Sequence, residues 1–481
     1  MSMTLATTWV RRGVAAQRPI KYEVDEAELG RISKLARLQL EEAQQGLTDA
    51  QNEHESEEGD GKGEKEKEYN LDDYDDDAEQ DEAGEPVTMF GNVRALAYHG
   101  PGEEDPYLVL PAGEKDLDDD EREDLQILPT DNLILAAKVE DEVAHLEVMV
   151  YEDDADNLYV HHDIMLPAVP LCVEWIDVAV GSGHAEKRQQ ANFVAVGTMS
   201  PEIELWDLDV VDSMYPNAIL GREPWEQDKG KKKKKAKAND EYHVDASYTM
   251  HTDKVCALDW HPAEGTVLLS GSYDRTVVVT DMRAPDAAAP RWRVDTDVER
   301  VRWDIHDPNF FYVTTESGLV YYFDAQKPPK SVDKTSKPVW RLQAHDGPVS
   351  AFDINAAVPG FLATGSEDKK TKLWSVQDNK PSMVVARNLD VGRIFAANFG
   401  PDPDVAFRLS VAGSRGQVQV WDTSTNAAVR SVFAGRVKMA EGGVKERLVG
   451  ATGQSDSEQS DQSDEDDHAQ GDDGWESMDQ D

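Results

Sequence analysis

The sequence contains very few cysteines and no long apolar run. Only Cys172 and Cys256 occur in 481 residues. Two cysteines can form neither a disulfide framework nor a four-ligand zinc site, which favours a reducing compartment. No apolar stretch approaches the 18 residues of a membrane span, and the first twelve residues lack the apolar core of a secretory signal. We therefore expect a cytosolic or nuclear protein.

Positive charge is also scarce. Lys and Arg total 49 against 96 Asp and Glu, a formal net charge of −47. Acids are concentrated at 51–124, with 28 acids and six bases, and at 451–481, with 12 acids and no base. Such segments repel themselves, so we predict a mostly disordered linker over 46–124 and a disordered tail over 435–481. The large negative charge of the chain disfavours direct binding to a nucleic-acid backbone, because the phosphate groups repel it.

A helical pattern precedes the acidic linker. Apolar residues recur at helical spacing over 25–45, and Asp25, Glu26 and Glu28 occupy the end where acids favour a helix N-terminus. One apolar stripe cannot form a domain. We therefore predict an N-terminal segment, residues 1–45, with a helix that docks on the folded body; a partner-binding helix is the alternative.

From residue 125 the sequence changes to short β-rich runs bounded by turn residues, which is typical of an all-β sandwich, barrel or propeller. Three of the four spacings between run ends are 43, 51 and 47 residues, close to the roughly 40–45 residues of a propeller blade. The runs end in an aromatic residue or Thr followed by Asp or Ser, at Trp206, Thr280, Phe323, Trp374 and Trp421. A second marker runs in phase at Trp175, Trp260 and Trp303.

These periods predict an all-β propeller over 125–434 with six repeats, and a lysine-rich loop, 222–247, inserted in it. We expect the ring to be open or distorted near 209–247. The six repeats lie near 125–153, 159–208, 248–282, 297–325, 338–376 and 391–424.

The most complete repeat contains His345, Thr364, Asp368 and Trp374. This set of four residues resembles the WD40 signature. The resemblance implies that these four residues form a buried hydrogen-bond chain that braces one blade, a structural role in which each polar group has a partner. A hydrolase reading of the His, Asp and Thr set is disfavoured, because the tryptophan and the repeat context already explain these residues.

The other repeats are degraded. One keeps His251 and Asp274 at the same separation, but Thr280 replaces the tryptophan. Ser or Arg replaces the Asp in three others, at Ser200, Ser317 and Arg415. We expect those blades to depend more on apolar packing between their faces.

Several segments outside the repeats carry a more specific pattern than the repeats do. They include Trp9–Gly13, Glu68–Asp75, Pro129–Leu133 and the run from Tyr159 to Trp175. With these segments the chain resembles the periodic tryptophan protein 1 family of WD40 proteins. The resemblance implies a role in large ribosomal subunit maturation and pre-ribosomal RNA processing. It also implies a seven-bladed propeller, whereas this chain shows six repeats; the shortfall lies between Asp207 and His251.

Two polar runs could carry regulation. The basic run Lys231, Lys232, Lys233, Lys234, Lys235 and Lys237 suggests a nuclear import signal; an RNA contact and a solvated loop are the alternatives. Four serines lie among acids in the tail, a pattern that suits an acidophilic kinase, although an unmodified solubilising tail is the alternative. They are Ser455, Ser457, Ser460 and Ser463.

Sequence motifs of catalysis or metal binding are not found. The pair His161-His162 invites a metal interpretation, but adjacent residues on a strand point to opposite faces, so we expect a strand or turn role. No glycine-rich phosphate loop, Cys/His cluster or nucleophile–base pair stands out. The sequence therefore predicts no enzyme, cofactor or metal.

We expect a non-catalytic WD40 scaffold of the nucleus and nucleolus. Its partners would be ribosome assembly factors and pre-60S particles, with at most minor RNA contact and no membrane, and the chain would be a monomer within a larger complex. The alternative is a chromatin protein that uses its acidic tracts to bind histones and regulate transcription.

Overall fold

The computed structural model describes residues 2–22, 125–178, 191–200, 202–220, 250–284, 289–331, 334–437 and 445–450. Within these ranges the chain forms six four-stranded antiparallel sheets and one short parallel pair of strands. The sheets are the blades of a β-propeller, so the predicted all-β propeller with six blades is confirmed. No helix in these ranges is long and apolar enough to cross a membrane.

The first blade takes its innermost strand from the N-terminus. It contains β1 (Ser2–Val10), β3 (Asn132–Glu140), β4 (Val143–Glu152) and β5 (Asn157–Leu166). Strand β1 pairs along its length with β3 and contacts the inner strands of both neighbouring blades. The predicted boundaries are corrected here: the propeller begins at residue 2 rather than 125, and 157–166 completes the first blade instead of opening the second.

The second, third and fourth blades follow in chain order. The second contains β6 (Pro170–Ile176), β7 (Phe193–Thr198), β8 (Ile203–Asp207) and β10 (Ala218–Leu220); beside it, β2 (Ile20–Lys21) pairs with β9 (Val210–Val211). The third contains β11 (Val255–Trp260), β12 (Val267–Ser272), β13 (Thr276–Asp281) and β14 (Arg291–Arg293). The fourth contains β15 (Val298–Trp303), β16 (Phe310–Thr315), β17 (Leu319–Asp324) and β18 (Trp340–Gln343).

The fifth and sixth blades follow in chain order, and the sixth extends beyond the predicted end of the propeller at 434. The fifth contains β19 (Ala351–Ile354), β20 (Phe361–Gly365), β21 (Thr371–Gln377) and β22 (Lys380–Arg387). The sixth contains β23 (Ile394–Phe399), β24 (Arg408–Gly413), β25 (Val418–Asp422) and β26 (Leu448–Gly450), with a short helix, α1 (Ala427–Phe433), before its last strand. Asn426 begins α1, because its side chain accepts from the backbone N–H groups of Ala428 and Val429.

The hydrophobic core lies between the blades. Strand residues alternate between two faces, so each sheet presents one apolar face to the blade before it and another to the blade after it. Apolar clusters of described residues join blades 1 and 2, 3 and 4, 4 and 5, 5 and 6, and 6 and 1. The described residues of blades 2 and 3 share no such cluster. The remaining cluster, Ala191 and Phe193 with Ile176, belongs to blade 2 alone.

Candidate functional site

The four residues of the WD40 signature meet in the fifth blade. The indole Nε1–H of Trp374 donates to Thr364 Oγ1 at 2.9 Å. Thr364 Oγ1 lies 2.8 Å from Nε2 of His345, and Nδ1 of His345 lies 2.9 Å from Oδ2 of Asp368. The structure therefore brings all four predicted side chains into one continuous chain of hydrogen bonds.

The chain has one consistent direction of donation. The carboxylate of Asp368 accepts, so Nδ1 of His345 carries the proton and Nε2 is left to accept from the hydroxyl of Thr364. Burial lowers the pKa of His345, although Asp368 acts in the opposite direction. A neutral histidine fits this arrangement, in which every donor and acceptor is used to hold the blade together.

The third blade keeps a shortened version of this chain. His251 Nδ1 lies 3.0 Å from Asp274 Oδ2, and Nε2 lies 2.8 Å from Ser270 Oγ. Ser270 thus takes the place of the threonine. Thr280 stands where the tryptophan would be and donates its hydroxyl to the sulfur of Met250 instead.

The remaining repeat-end aromatics pack in the core without completing a four-residue chain. Trp206 donates its indole N–H to Glu204 at 3.1 Å, and Trp421 donates to Glu446 at 3.1 Å. Phe323 has no donor and packs on Phe311. These blades depend on apolar packing, as the degraded repeats indicated. Arg415, which replaces the Asp of the sixth repeat, pairs with Asp390.

The end of each inner strand presents a large apolar side chain to the preceding blade. The equivalent residues, identified by their pairing with the second strand of each blade, are Trp9, Trp175, Trp260, Trp303, Ile354 and Phe399. Four of them are buried, with exposed fractions from 2% for Trp303 to 6% for Trp9 and Phe399. Trp175 is partly buried against the first blade. Trp260 is the most exposed of the six at 53%, because the described residues place no blade face against it.

The residue before each of these positions forms a polar layer around the propeller axis. Asp259 accepts the backbone N–H of Trp303 at 2.6 Å, and Asp353 accepts the backbone N–H of Phe399 at 2.8 Å. Each carboxylate thus ties its own blade to the next inner strand. Between them, Arg302 contacts Asp353 at 2.9 Å and Asp259 at 3.7 Å.

Glu174 occupies the same layer in the second blade. Desolvation raises its pKa, and the charge of Arg302 lowers it only in part. Within the described ranges no protein group donates to it or forms an ion pair with it, and the residue is exposed to solvent near the end of its strand. Sequence reasoning missed this layer, although its signal was present: each in-phase tryptophan from Trp175 onward follows a charged residue.

A cavity of about 220 Å³ opens where the inner strands of blades 3 to 6 end. The charged layer residues Asp259, Arg302 and Asp353 lie in its wall. The half-exposed indole of Trp260 lies there as well, together with Ile305. The arrangement offers a recess for binding and, in the described ranges, no group of three or more His, Cys, Asp or Glu residues that could hold a metal ion.

The adjacent histidines His161 and His162 come together, contrary to the expectation that they point apart. Their Nδ1 atoms lie 2.8 Å from each other, and Nε2 of His161 lies 3.1 Å from the carbonyl oxygen of Leu125. The cause is a β-bulge, because Val148 pairs with His162 and Met149 pairs with Val160, which leaves His161 as the extra residue. Burial lowers the pKa of both histidines.

Several predicted features lie outside the described residues. These are the docking helix over 25–45, the acidic linker up to residue 124, the basic run 231–237 and the four tail serines between 455 and 463.

Comparison with known proteins places the chain among WD repeat proteins. The model of the WD domain, G-beta repeat, matches residues 244–281 and 336–375. An uncharacterized WD repeat-containing protein of Schizosaccharomyces pombe is 42% identical, over 93% of this chain and 94% of its own. Periodic tryptophan protein 1 of Saccharomyces cerevisiae is 33% identical over 92% of each chain, and its Drosophila melanogaster homolog is 28% identical over 89% of this chain and 95% of its own.

The blades, their hydrogen-bond chain and the matching repeats define a WD40 β-propeller protein. Such propellers are typically non-catalytic scaffolds. Because the similarity covers more than nine-tenths of both chains, this chain belongs to the periodic tryptophan protein 1 family. The alignment with the fission yeast relative spans 507 positions, more than the 481 residues here, so that relative contains residues without a counterpart in this chain.

Proposed function

We propose that this chain is a non-catalytic scaffold in ribosome biogenesis, acting in large-subunit assembly and pre-ribosomal RNA processing through protein–protein contacts. The observation that carries the proposal is the similarity to periodic tryptophan protein 1 over nearly the whole chain, including segments outside the repeats. A resemblance confined to the blades would support only the fold, since WD40 propellers serve many functions.

The chemistry of the described residues supports a scaffold without catalysis. The His, Thr and Asp of the fifth blade are engaged in a closed chain with Trp374 and do not converge on an open cleft. Asp259 and Asp353 are likewise occupied by backbone N–H groups and by Arg302. These polar groups hold the blades in place, while the loops between strands provide rigidly supported binding surfaces.

The charge of the chain supports basic protein partners. A net charge of −47 attracts cationic proteins and speeds their encounter, and it opposes contact with bare RNA. The proposed location is the nucleus and nucleolus, with the basic run 231–237 as the import signal. Phosphorylation of the tail serines would make the net charge of the chain still more negative.

Affinity purification of the full chain, with identification of both the RNA and the proteins retained, tests this proposal. We expect large-subunit assembly factors and precursor ribosomal RNA to co-purify with the chain. A treatment with ribonuclease serves as the control: factors held through protein–protein contact stay bound after the RNA is removed. A catch without either assembly factors or precursor RNA would contradict the proposal.

The acidic composition favours a second candidate, a chromatin protein that binds histones. Histone tails are basic, and the 12 acids of residues 451–481 are accompanied by no base. The same purification separates the two functions, because histones as the dominant catch would favour this one.

A further inference from the structure

The third blade has an apolar face that no described blade covers. Leu258 and Trp260 lie on this face of β11, and they are 61% and 53% exposed. Their counterparts in the fifth blade, Phe352 and Ile354, are only 6% and 5% exposed because the fourth blade packs on them. Exposure of two large apolar side chains at positions that are buried elsewhere in the ring marks a surface built for contact.

The second blade presents the opposing face. Pairing across β7, β8 and β10 places Gly197, Ile203 and Leu220 in one row on the side away from the first blade. Ile203 and Leu220 are 42% and 50% exposed. We call the space between these faces of blades 2 and 3 the open junction. Strand β10 ends on one side of it at Leu220, and the described chain resumes on the other side at Met250.

The inner end of the open junction contains an unused carboxylate. The counterparts of Glu174 in blades 3 and 5 each accept a backbone N–H from the next inner strand. Among the described residues, Glu174 has no such donor. An occupant of the junction would therefore bring an apolar surface for the two faces and an N–H or cationic donor for this carboxylate.

We propose that the open junction binds an extended apolar segment of a basic partner protein. Charge decides among possible occupants. A second copy of this chain would bring another −47, and it would be repelled. A basic protein is attracted, and a strand-like segment with alternating apolar residues matches the sheet faces that fill the other junctions. This inference goes beyond the proposed function, because it holds for any basic partner.

A designed peptide tests the proposal. The probe is a fluorescent ten-residue peptide that alternates valine and lysine, and its charge-matched control alternates serine and lysine. Anisotropy with the full chain at physiological salt should show at least tenfold tighter binding of the valine peptide. Equal affinity for the two peptides would mean that the acidic tracts alone attract them, and this result would contradict the proposal.

Variants locate the binding surface. Trp260→Ala should weaken binding of the valine peptide roughly tenfold, because a large half-exposed apolar side chain is lost from the site. Met383→Ser is the matched control, since Met383 is 57% exposed on the outer strand of the fifth blade, and it should leave binding unchanged. Both side chains are exposed, so both variants should fold. Equal effects of the two variants would overturn the proposal.

A photo-crosslinker at the junction separates the other occupants. The free full chain carries p-benzoylphenylalanine in place of Leu258, and irradiation with the valine peptide should give an adduct with the peptide. A dominant adduct with a second copy, or with residues 23–124 or 221–249 of the same chain, would contradict the proposal. A negative result in the peptide experiments would contradict only the binding site at the open junction. The proposed ribosomal role is tested separately by the affinity purification.

Discussion

The guanidinium of Arg408 in the sixth blade donates to the carboxylate of Asp153 in the first, with 2.7 Å between Nε and Oδ1. A second nitrogen of the same guanidinium contacts Asp422 at 2.7 Å. All three side chains are largely buried. The pair therefore joins blades 6 and 1, beside the place where the N-terminal strand enters the ring.

Removing this cation should weaken the ring. Arg408→Met leaves Asp153 and Asp422 buried, with Arg447 and the more distant Arg12 as the remaining cations near Asp153. We expect a loss of about 3 kcal/mol in the free energy of unfolding. Arg275→Met is the control, because its pair with Asp297 is exposed and should contribute less than about 1 kcal/mol. Urea unfolding of both variants measures the difference. Losses of equal size would contradict this account of the junction.

The same pair makes stability depend on pH. Burial alone would raise the pKa of Asp153, but hydrogen bonds and charge from Arg408 outweigh it and hold the pKa below its usual value of 3.8. A carboxylate with a lowered native pKa stabilises fully above its unfolded pKa, and that stability is lost as the pH falls through the native value. Urea unfolding should therefore show wild type losing stability below about pH 4 more steeply than Asp153→Asn. Identical pH profiles would exclude this contribution.

One substitution can remove a single donor, the indole N–H of Trp374, from the hydrogen-bond chain of the fifth blade. Trp374→Phe removes the indole N–H while it keeps most of the apolar contact, and we expect a loss of roughly 1–3 kcal/mol. Thr364→Ser keeps the hydroxyl, as Ser270 does in the third blade, and should cost less. Thermal melting of both variants compares them. A melting temperature of Trp374→Phe equal to that of wild type would show that the chain does not brace the blade.

Two tryptophans at equivalent positions should differ sharply in their contribution. Trp9 is buried, and its indole donates to Ser410 at 2.9 Å, so Trp9→Ala should cost about 3–5 kcal/mol. Trp260→Ala should cost about 1 kcal/mol or less, because that indole is half exposed. Chemical unfolding of the two variants measures both losses in the free energy of unfolding. Similar losses would mean that the open junction is closed in solution.

The repeat period predicted the fold and the number of blades, because blades two to six are continuous in sequence and carry their own markers. It could not predict that Ser2–Val10 is the innermost strand of the first blade, since the partners of that strand lie beyond residue 131. The four residues around Trp374 could be predicted because they recur at fixed offsets. The charged residues Glu174, Asp259 and Arg302 before the in-phase tryptophans are visible in the sequence. That they share one layer is not, because they come from different blades and lie together only around the propeller axis.

The β-bulge at His161 marks another limit of sequence reasoning. Strict alternation along a strand would separate His161 from His162, and one inserted residue brings their rings together. The local sequence does not predict the inserted residue, because a bulge depends on the register of the partner strand.

Thiol labelling of the unmodified chain tests the open junction most directly. Cys172 is exposed on the free side of blade 2, whereas its counterparts Ala257 and Ala351 are buried by the next blade. Cys256 donates its thiol to the Val298 carbonyl at 2.9 Å, and burial raises its pKa to about 12. Reaction with a chromogenic disulfide near pH 8 should therefore show one fast thiol, abolished by Cys172→Ser, and a second that reacts only on unfolding. Two slow thiols in the native chain would show that the ring is closed between blades 2 and 3, and would contradict the account.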